Sequence, residues 1–250
     1  MQKVNILGIE LDNLGLEDVL KRIEDFISEG IPRYVITSNV DHLILKGEDR
    51  VFEEAYKNAS LVVPDGAPLL WASRFLGNPL RGRVNGTDLF LKISELSAKK
   101  GYSIFLLGAE YDVAEKTAMV LRDKYPGLRV AGTYSPYFGF EKDRVENEMI
   151  VRLIRESRPD ILFTALGSPK GEKWIYRYYK SLGVPLSLNV GASFDFVSGR
   201  VKRAPIWMQR NGLEWLWRLF KEPGRLWRRY LIRDIGFFYL VFRQRFIRKV

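Results

Sequence analysis

Short apolar runs alternate with longer amphipathic segments along residues 1–199, and this alternation constrains the fold more than any other feature of the sequence. The short runs are typical of strands that are buried on both faces, and the longer segments place apolar residues at helical spacing. Strands and helices that alternate in this way form a mostly parallel sheet between helical layers. The sequence therefore predicts an α/β fold of Rossmann-like type, with helices on both faces of a mostly parallel sheet.

The bounds of these runs predict the individual elements. The predicted strands span residues 34–37, 61–63, 103–107, 128–131, 161–165 and 186–190. The predicted helices span residues 16–28, 88–99, 113–124, 142–156 and 170–180. A further strand or hairpin is predicted over residues 4–11. Because 250 residues with 46% hydrophobic content suffice for one sizeable core, we expect one catalytic domain with an appendage.

Basic and aromatic residues are concentrated at the carboxyl end of the chain. Residues 200–250 contain 14 of the 40 Lys and Arg residues but only three Asp and Glu residues, so the preceding 199 residues carry a net charge of about −1. The same segment holds four of the six tryptophans. These two compositions predict an α/β catalytic domain over residues 1–199 and a basic, aromatic, helical appendage over residues 200–250.

Small or glycine-containing turns follow five of the predicted strands. Ligands of open parallel sheets bind beyond the carboxyl ends of the strands, so these turns are candidates for a binding site. Their backbone N–H groups are able to approach an anion at a helix start, which suits the phosphates of a nucleotide. Ordinary turn chemistry is the alternative for any single turn, whereas several turns on one edge favour a nucleotide site. The turns lie at residues 37–39, 64–66, 108–109, 167–170 and 191–195.

Common catalytic motifs are absent from the sequence. There is no G-x-G-x-x-G, G-x-x-x-x-G-K-[ST], H-E-x-x-H or G-x-S-x-G motif, and there is no cysteine. His42 is the only histidine, which excludes a multi-histidine metal site, and we expect it on a helix surface or in packing. Because no D-x-D pair occurs, we expect arginine or lysine rather than a metal ion to neutralise a departing diphosphate.

Asp65 is the candidate for proton transfer. It follows the apolar run 61–64, where partial desolvation would raise the pKa of a carboxyl group toward the range useful to a general base. The alternative is an N-cap for a helix over residues 67–75, and position alone does not separate the two. Arg81 and Arg83 lie in a nearby glycine-containing loop, where they either bind phosphate or carboxylate or remain solvated.

An ordered set of segments resembles the WecG/TagA/CpsF glycosyltransferases, also called glycosyltransferase family 26. Single segments are weak signals, but the set keeps the family order across nearly the whole chain. The segments are VITSN (35–39), VPDG (63–66), RVNGTD (83–88), LLGA (106–109), ALGSPKGEKW (165–174) and GASFD (191–195), followed by VKRAP (201–205). The sequence departs from the family at Gly171, where members usually have glutamine, and at Ser38, where many have proline.

The resemblance implies transfer of a sugar, often N-acetylmannosamine or its uronic acid, from a UDP donor onto N-acetylglucosamine linked to a polyprenyl diphosphate. Such products are early intermediates of wall teichoic acids and other surface polysaccharides. By position, Asp65 is implied as the catalytic base of an inverting transfer, with Thr37, Asn39 and Arg83 in contact with donor or acceptor. The residues implied to bind the nucleotide-sugar are Gly108, Ala109, Tyr137, Gly167, Lys170, Gly191 and Asp195. Those expected at the leaving group or lipid diphosphate are Arg218, Arg225 and Arg228. No metal or cofactor is expected beside the UDP-sugar substrate, and a homo-oligomer is compatible with the sequence.

The appendage is predicted to bind an anionic membrane surface. As a helix, the uncharged run 235–242 would be about 12 Å long, whereas a bilayer core is roughly 30 Å thick, so the run is too short to cross a membrane. Apolar residues in and around this run form a stripe at helical spacing, and arginines flank the stripe as interfacial anchors. The stripe comprises Leu231, Ile235, Phe238, Phe242 and Phe246, and the anchors are Arg228, Arg229, Arg233, Arg243 and Arg245. Because residues 1–13 lack the features of a secretory signal, we expect a cytoplasmic protein on the inner face of the cell membrane.

Two other functions stay open from the sequence. Arginines interleaved with aromatic residues also bind nucleic acid, although the phenylalanine stripe suits acyl chains better than bases. A nucleotide-sugar hydrolase or epimerase would share the nucleotide site and act without a lipid acceptor. Part of the appendage is expected to pack on the body instead, through Leu213, Leu216, Trp217 and Phe220.

Overall fold

A computed structural model describes residues 2–228 and 234–247 of the chain. Two strands, β1 (Lys3–Ile6) and β2 (Ile9–Asp12), form an antiparallel hairpin. The remaining strands are β3 (Arg33–Ser38), β4 (Leu61–Pro64), β5 (Ser103–Gly108), β6 (Arg129–Tyr134), β7 (Ile161–Ala165) and β8 (Leu186–Asn189). These six form one sheet in the order β4-β3-β8-β7-β5-β6, and every neighbouring pair is parallel. The predicted α/β class and the mostly parallel sheet are confirmed.

Helices connect the strands and cover the sheet. In the catalytic body they are α1 (Leu16–Glu29), α2 (Val40–Lys46), α3 (Arg50–Lys57), α4 (Ala67–Phe75), α5 (Gly86–Lys100), α6 (Val113–Lys124), α7 (Arg144–Ser157), α8 (Lys170–Leu182) and α9 (Ser193–Val197). Those of the appendage are α10 (Ile206–Arg210), α11 (Glu214–Lys221), α12 (Pro223–Arg228) and α13 (Ile235–Phe246). The five predicted helices are present as α1, α5, α6, α7 and α8, although α7 begins two residues later, after a 3-10 turn.

The predictions missed α2 and α3. Both helices are short, with seven and eight residues, so neither shows a sustained helical period. Each begins at a polar N-cap, because the Asn39 side chain accepts a hydrogen bond from the backbone N–H of His42 and the Asp49 side chain accepts one from that of Phe52. These two caps are the sequence signal that would have located the helices.

Alternate residues of the central strands enter two separate apolar layers. On β3, Tyr34 and Ile36 pack on one side of the sheet, and Val35 packs on the other. On β5, Phe105 and Ile104 divide in the same way. Successive side chains of a strand point to opposite faces, so a strand covered on both sides must be apolar throughout. The continuous apolar runs of the sequence are the consequence of this double burial.

The last described helix, α13, packs against the body rather than standing free. Phe237 and Val241 are buried and join the apolar layer that contains the hairpin. The Gln244 side chain accepts a hydrogen bond from the Leu7 backbone N–H at 2.8 Å, and Arg245 donates to the Leu76 carbonyl at 3.1 Å. Along the ranges given above, no helix combines the length and apolar character needed to cross a membrane.

The other predictions for the appendage have mixed outcomes. Its helical character is confirmed, whereas the division of the chain at residue 200 stays a prediction. The expected core face of α11 is only partly formed, since Leu216 and Trp217 are half-buried and Phe220 is exposed. From the predicted membrane stripe and its anchors, Arg229, Leu231 and Arg233 lie outside the described residues.

Candidate active site

A cavity of about 1210 Å³ lies at the carboxyl-terminal edge of the six-stranded sheet. Residues that end or follow all six strands line it, because parallel strands end at the same edge. Its volume exceeds the roughly 300–1,000 Å³ of ordinary ligand pockets. We call this cavity the cleft.

The structure brings most of the predicted site residues together in the cleft. Twelve of them line it: Thr37, Asn39, Asp65, Arg83, Gly108, Ala109, Tyr137, Gly167, Lys170, Gly191, Asp195 and Arg218. Arg228 is not among the lining residues, and its guanidinium lies over the Trp227 ring, 5.4 Å from the ring centroid. The side chain of Arg225 lies outside the described part of the chain. The roles predicted for these residues stay predictions.

Asp65 lies just beyond the end of β4, where a dense hydrogen-bond arrangement holds it. Its backbone N–H donates to the Ser38 carbonyl at 2.7 Å, and its carboxylate accepts from the Asn85 side chain at 2.9 Å. A Cβ added to Gly86 would lie 3.4 Å from both the Asp65 carboxylate and the Thr37 hydroxyl, so both groups lie close to the start of α5. The N-cap of α4 is Gly66 and not Asp65, so the alternative N-cap interpretation is wrong.

The surroundings of Asp65 raise its pKa to about 7. Burial is the largest cause, because a desolvated carboxylate is unstable relative to the neutral acid. The Gly86 N–H and the Arg83 charge lower the pKa, and the nearby Glu214 carboxylate raises it. A carboxyl group with this pKa exchanges a proton readily near neutral pH, which is the property of a general base.

Asn85 joins Asp65 to the appendage, and sequence reasoning did not single it out. Its Oδ1 caps α5 by accepting from the backbone N–H groups of Thr87 and Asp88, and it also accepts from Arg203 at 3.1 Å. Arg203 in turn pairs with Asp88 at 2.6 Å and with Glu214 at 2.9 Å. Two signals in the sequence could have found it, since Asn85 lies within the RVNGTD segment (83–88) and is an asparagine shortly before the predicted helix 88–99. This network orients the amide that donates to Asp65.

The two arginines of the loop before α5 have different environments. Arg83 lines the cleft, donates to the Gln209 carbonyl at 3.0 Å and lies 3.6 Å from Glu214. Arg81 points away, since its exposed guanidinium pairs with Asp18 at 3.2 Å and does not line the cleft. Both arginines therefore lie beside a carboxylate, but only Arg83 does so at the cleft.

A buried polar cluster forms the floor of the cleft behind α2. His42 is buried and not on a helix surface, so of the two expected environments packing is the one found. Its Nδ1 lies 2.7 Å from the Tyr56 hydroxyl, and its Nε2 lies 3.8 Å from Glu172. The Tyr56 hydroxyl also donates to Ser38 at 3.0 Å. Burial raises the pKa of Glu172 to about 7, so this second carboxyl group titrates in the same range as Asp65.

Gly171 makes room for one member of this floor. A Cβ at position 171 would lie under 3.0 Å from the Asn189 side-chain amide, a separation that real Cβ atoms essentially never show. Asn189 occupies this space, donates to Glu172 at 2.8 Å and accepts from the Thr164 hydroxyl at 3.1 Å. Residue 171 therefore has no side chain in this protein, and the Asn189 amide lies in the space that a side chain there would need.

The glycine turns that follow β5 and β7 border the far end of the cleft. Gly108 has a φ of 108°, and a Cβ there would lie under 3.0 Å from the Ala165 carbonyl, so only glycine fits. The neighbouring rim carries charges and aromatic rings. Lys170 lies 3.4 Å from Glu141, and its Nζ lies 4.6 Å from the centroid of the Phe138 ring. Phe138 and Tyr111 line the cleft while largely exposed, and sequence reasoning assigned them no role.

Comparison with known proteins identifies the chain. A model described as the glycosyl transferase WecG/TagA/CpsF family matches residues 4–250. The chain belongs to the WecG/TagA/CpsF family of glycosyl transferases. It is therefore a glycosyltransferase, and the family resemblance of its ordered motifs is confirmed. The finding favours this class over the nucleic-acid-binding and the hydrolase or epimerase alternatives.

Several curated relatives of this glycosyltransferase share one name, N-acetylglucosaminyldiphosphoundecaprenol N-acetyl-beta-D-mannosaminyltransferase. The protein from Bacillus subtilis strain 168 is 34% identical over 232 residues, which cover 92% of this chain and 88% of the relative. The Bacillus spizizenii protein is 32% identical over 206 residues, covering 82% and 77%. The protein from Staphylococcus aureus NCTC 8325 is 29% identical over 232 residues, covering 90% and 88%.

The appendage supplies one wall of the glycosyltransferase cleft. Lining residues from it include Glu214, Arg218, Ile235 and Phe238. Arg218 is half-buried, and its buried Nε makes no hydrogen bond with any described residue. A buried donor without a partner is costly, so this guanidinium is suited to an anionic ligand. The cleft therefore combines glycine turns, a carboxyl group of raised pKa and an arginine on its appendage wall.

Proposed function

We propose that this glycosyltransferase moves N-acetylmannosamine from a UDP donor onto N-acetylglucosamine linked by a diphosphate to a polyprenol. The curated relatives are named for an N-acetylmannosamine transfer to an acceptor of this kind. The observation that carries the mechanism is the Asp65 carboxyl group, whose pKa of about 7 and position in the cleft suit a base for a sugar hydroxyl.

In the proposed mechanism, the acceptor hydroxyl attacks the anomeric carbon of the donor sugar while Asp65 takes its proton. The new bond joins the acceptor oxygen to that carbon, and the bond to the UDP oxygen breaks with its electron pair going to the diphosphate. Attack from the side opposite the leaving group inverts the anomeric carbon. Asn85 and the Gly86 N–H hold the carboxylate in place for this transfer, and Thr37 borders the same point.

We propose that guanidinium groups, without a metal ion, stabilise the charge that develops on the diphosphate. Arg218 offers a buried N–H without a partner, whereas Arg83 is already engaged by Gln209 and Glu214. Donors that are positioned before the reaction stabilise developing charge most strongly in a site that excludes water. Arg218 is therefore the first candidate for the leaving group, and the Gly108 and Gly167 turns are candidates for the nucleotide phosphates.

We also propose that the protein works at the inner face of the cell membrane, where a polyprenyl-linked acceptor resides. The described part of the predicted stripe supports this, because Ile235, Phe238, Phe242 and Phe246 are all exposed on α13. Basic residues near an anionic leaflet each contribute about 1 kcal/mol of attraction. Deletion of residues from about 200 onward should release the protein from vesicles that contain phosphatidylglycerol. Unchanged sedimentation with the vesicles would count against this location.

The test of the reaction is mass spectrometry of products from a panel of UDP-sugars offered with a short-chain lipid-diphosphate N-acetylglucosamine. The proposal expects one N-acetylhexosamine to be added, with UDP-N-acetylmannosamine the preferred donor. Asp65→Ala should abolish transfer and leave UDP binding nearly intact, whereas Asp25→Ala, which alters an exposed carboxylate on α1, should change neither. Near-normal turnover of Asp65→Ala would refute the assignment of the base.

A further inference from the structure

Helices α4 and α13 together expose a continuous aromatic surface. Trp71 and Phe75 on α4 are 47% and 46% exposed, and Phe238 and Phe242 on α13 are 54% and 55% exposed. The Phe75 ring stacks on Phe242 with centroids 6.4 Å apart and meets Phe246 edge-on at 6.1 Å. These five residues and Ile235 are called the aromatic track below.

The aromatic track begins inside the cleft. Trp71, Ile235 and Phe238 line the cleft, whereas Phe75, Phe242 and Phe246 do not. On α13 the phenylalanines recur every four residues, so the track extends about 12 Å from Phe238 to Phe246. It is therefore an apolar path that leads from the reaction site to the outer surface of the protein.

Residues outside this surface also hold α13 on the body. The opposite face of α13 holds the helix on the body through the buried Phe237 and Val241, and Gln244 adds hydrogen bonds to the hairpin. Contiguous exposed apolar patches on soluble domains mark binding sites. Neither α4 nor α13 contains an acidic residue, and Arg74 and Arg243 are exposed on them. The surface thus suits an apolar ligand.

We propose that the aromatic track binds the first isoprene units of the acceptor's polyprenyl chain and leads that chain out of the cleft; this proposal rests on the function proposed above. The acceptor sugar must lie beside Asp65, and its diphosphate is attached directly to the apolar chain. The chain must therefore leave the cleft along an apolar wall, and Trp71, Ile235 and Phe238 form such a wall. A bilayer cannot enter the cleft, whereas a single chain can.

The experiment measures the Kd of full-length protein for prenyl diphosphates with two, three and four isoprene units, below their micelle concentrations, against inorganic diphosphate. The wild type should bind more tightly as the chain lengthens. The double variant Phe75→Ser/Phe242→Ser should lose about tenfold in affinity for the longer chains, the factor expected from roughly 60 Å² of apolar burial. Inorganic diphosphate reports any general loss of structure, and Ile31→Ser, an exposed apolar residue at the opposite edge of the sheet, is the matched control.

A second variant keeps the test decisive if the double variant unfolds. Phe246→Ser alters only the outer end of the aromatic track, so it should weaken the longest chain and spare the shortest. A Kd that does not depend on chain length would overturn the proposal. The same holds if the variants keep the chain-length series of the wild type, whether or not they lose binding to phosphatidylglycerol vesicles. Failure of transfer with every acceptor would refute the proposed function separately, since these Kd values need no turnover.

Discussion

Replacement of Asp65 by asparagine should abolish transfer and at the same time stabilise the fold at alkaline pH. Burial raises the pKa of Asp65 from 3.8 to about 7, so the folded state binds this proton more tightly than the unfolded chain does. The contribution of protonated Asp65 to folding stability is therefore fully present below pH 3.8, and it is lost as the pH rises through 7. Each factor of ten in proton affinity corresponds to about 1.4 kcal/mol. At pH 8 the ionised carboxylate therefore destabilises the folded state by about 4 kcal/mol relative to the unfolded chain.

Asparagine removes this cost and introduces a smaller one. Its NH₂ group cannot accept a hydrogen bond, so either the Asn85 amide or the Gly86 N–H loses its partner, at about 1–2 kcal/mol. Asp65→Asn should therefore gain about 2–3 kcal/mol at pH 8, and Tm should rise by about 4–12 °C. Near pH 4.5 the gain should vanish, because the wild-type carboxyl group is then largely neutral in the folded protein.

Scanning calorimetry of both proteins at pH 8 and pH 4.5 provides the measurement. Asp49→Asn is the control of opposite sign, because the hydrogen bond from Lys173 at 2.6 Å lowers the pKa of Asp49. That carboxylate favours folding above its unfolded pKa, so Asp49→Asn should lower Tm at pH 8. If Asp65→Asn left Tm unchanged at pH 8, or raised it equally at both pH values, the pKa of Asp65 would not be raised in the folded protein.

Three further outcomes are expected. In wild type, kcat/KM should rise about tenfold between pH 6 and pH 8 as Asp65 ionises, and a flat pH–rate profile would contradict this. Glu214→Gln should move the midpoint of that profile to lower pH, because the substitution removes a negative charge that raises the pKa of Asp65. Gly171→Ala should cost about 1–3 kcal/mol in urea unfolding, since its Cβ overlaps the Asn189 amide, and the same substitution should cost much less in an Asn189→Gly background. Arg203→Gln should lose about 3 kcal/mol of folding stability and most of kcat, and Arg203→Lys should restore both only in part. If Arg203→Gln had the Tm of the wild type, the Arg203 guanidinium would not be what holds the network of Asn85, Asp88 and Glu214.

Local pattern was sufficient for the elements and for the general position of the site. A strand covered on both faces must be apolar throughout, so the runs along residues 103–107 and 161–165 were recognisable as strands without further information. Parallel strands end at one edge, so the residues after them were bound to share a site even though the strand order was unknown. Short helices such as α2 escaped notice because seven residues carry too little period.

The properties of the site depend instead on groups that are far apart in the chain. Arg203 meets Asn85 across 118 residues, and Glu214 raises the pKa of Asp65 although no local pattern links them. The aromatic track likewise needs α13 to pack beside α4, which brings Phe75 and Phe242 together. The sequence by itself determined the α/β class and the edge at which the cleft forms, because short-range periodicity and turn chemistry specify those features, and its ordered motifs indicated the family. Only the tertiary structure decided the strand order, the burial of Asp65 and the path out of the cleft, because desolvation and long-range contacts exist only once the core has packed.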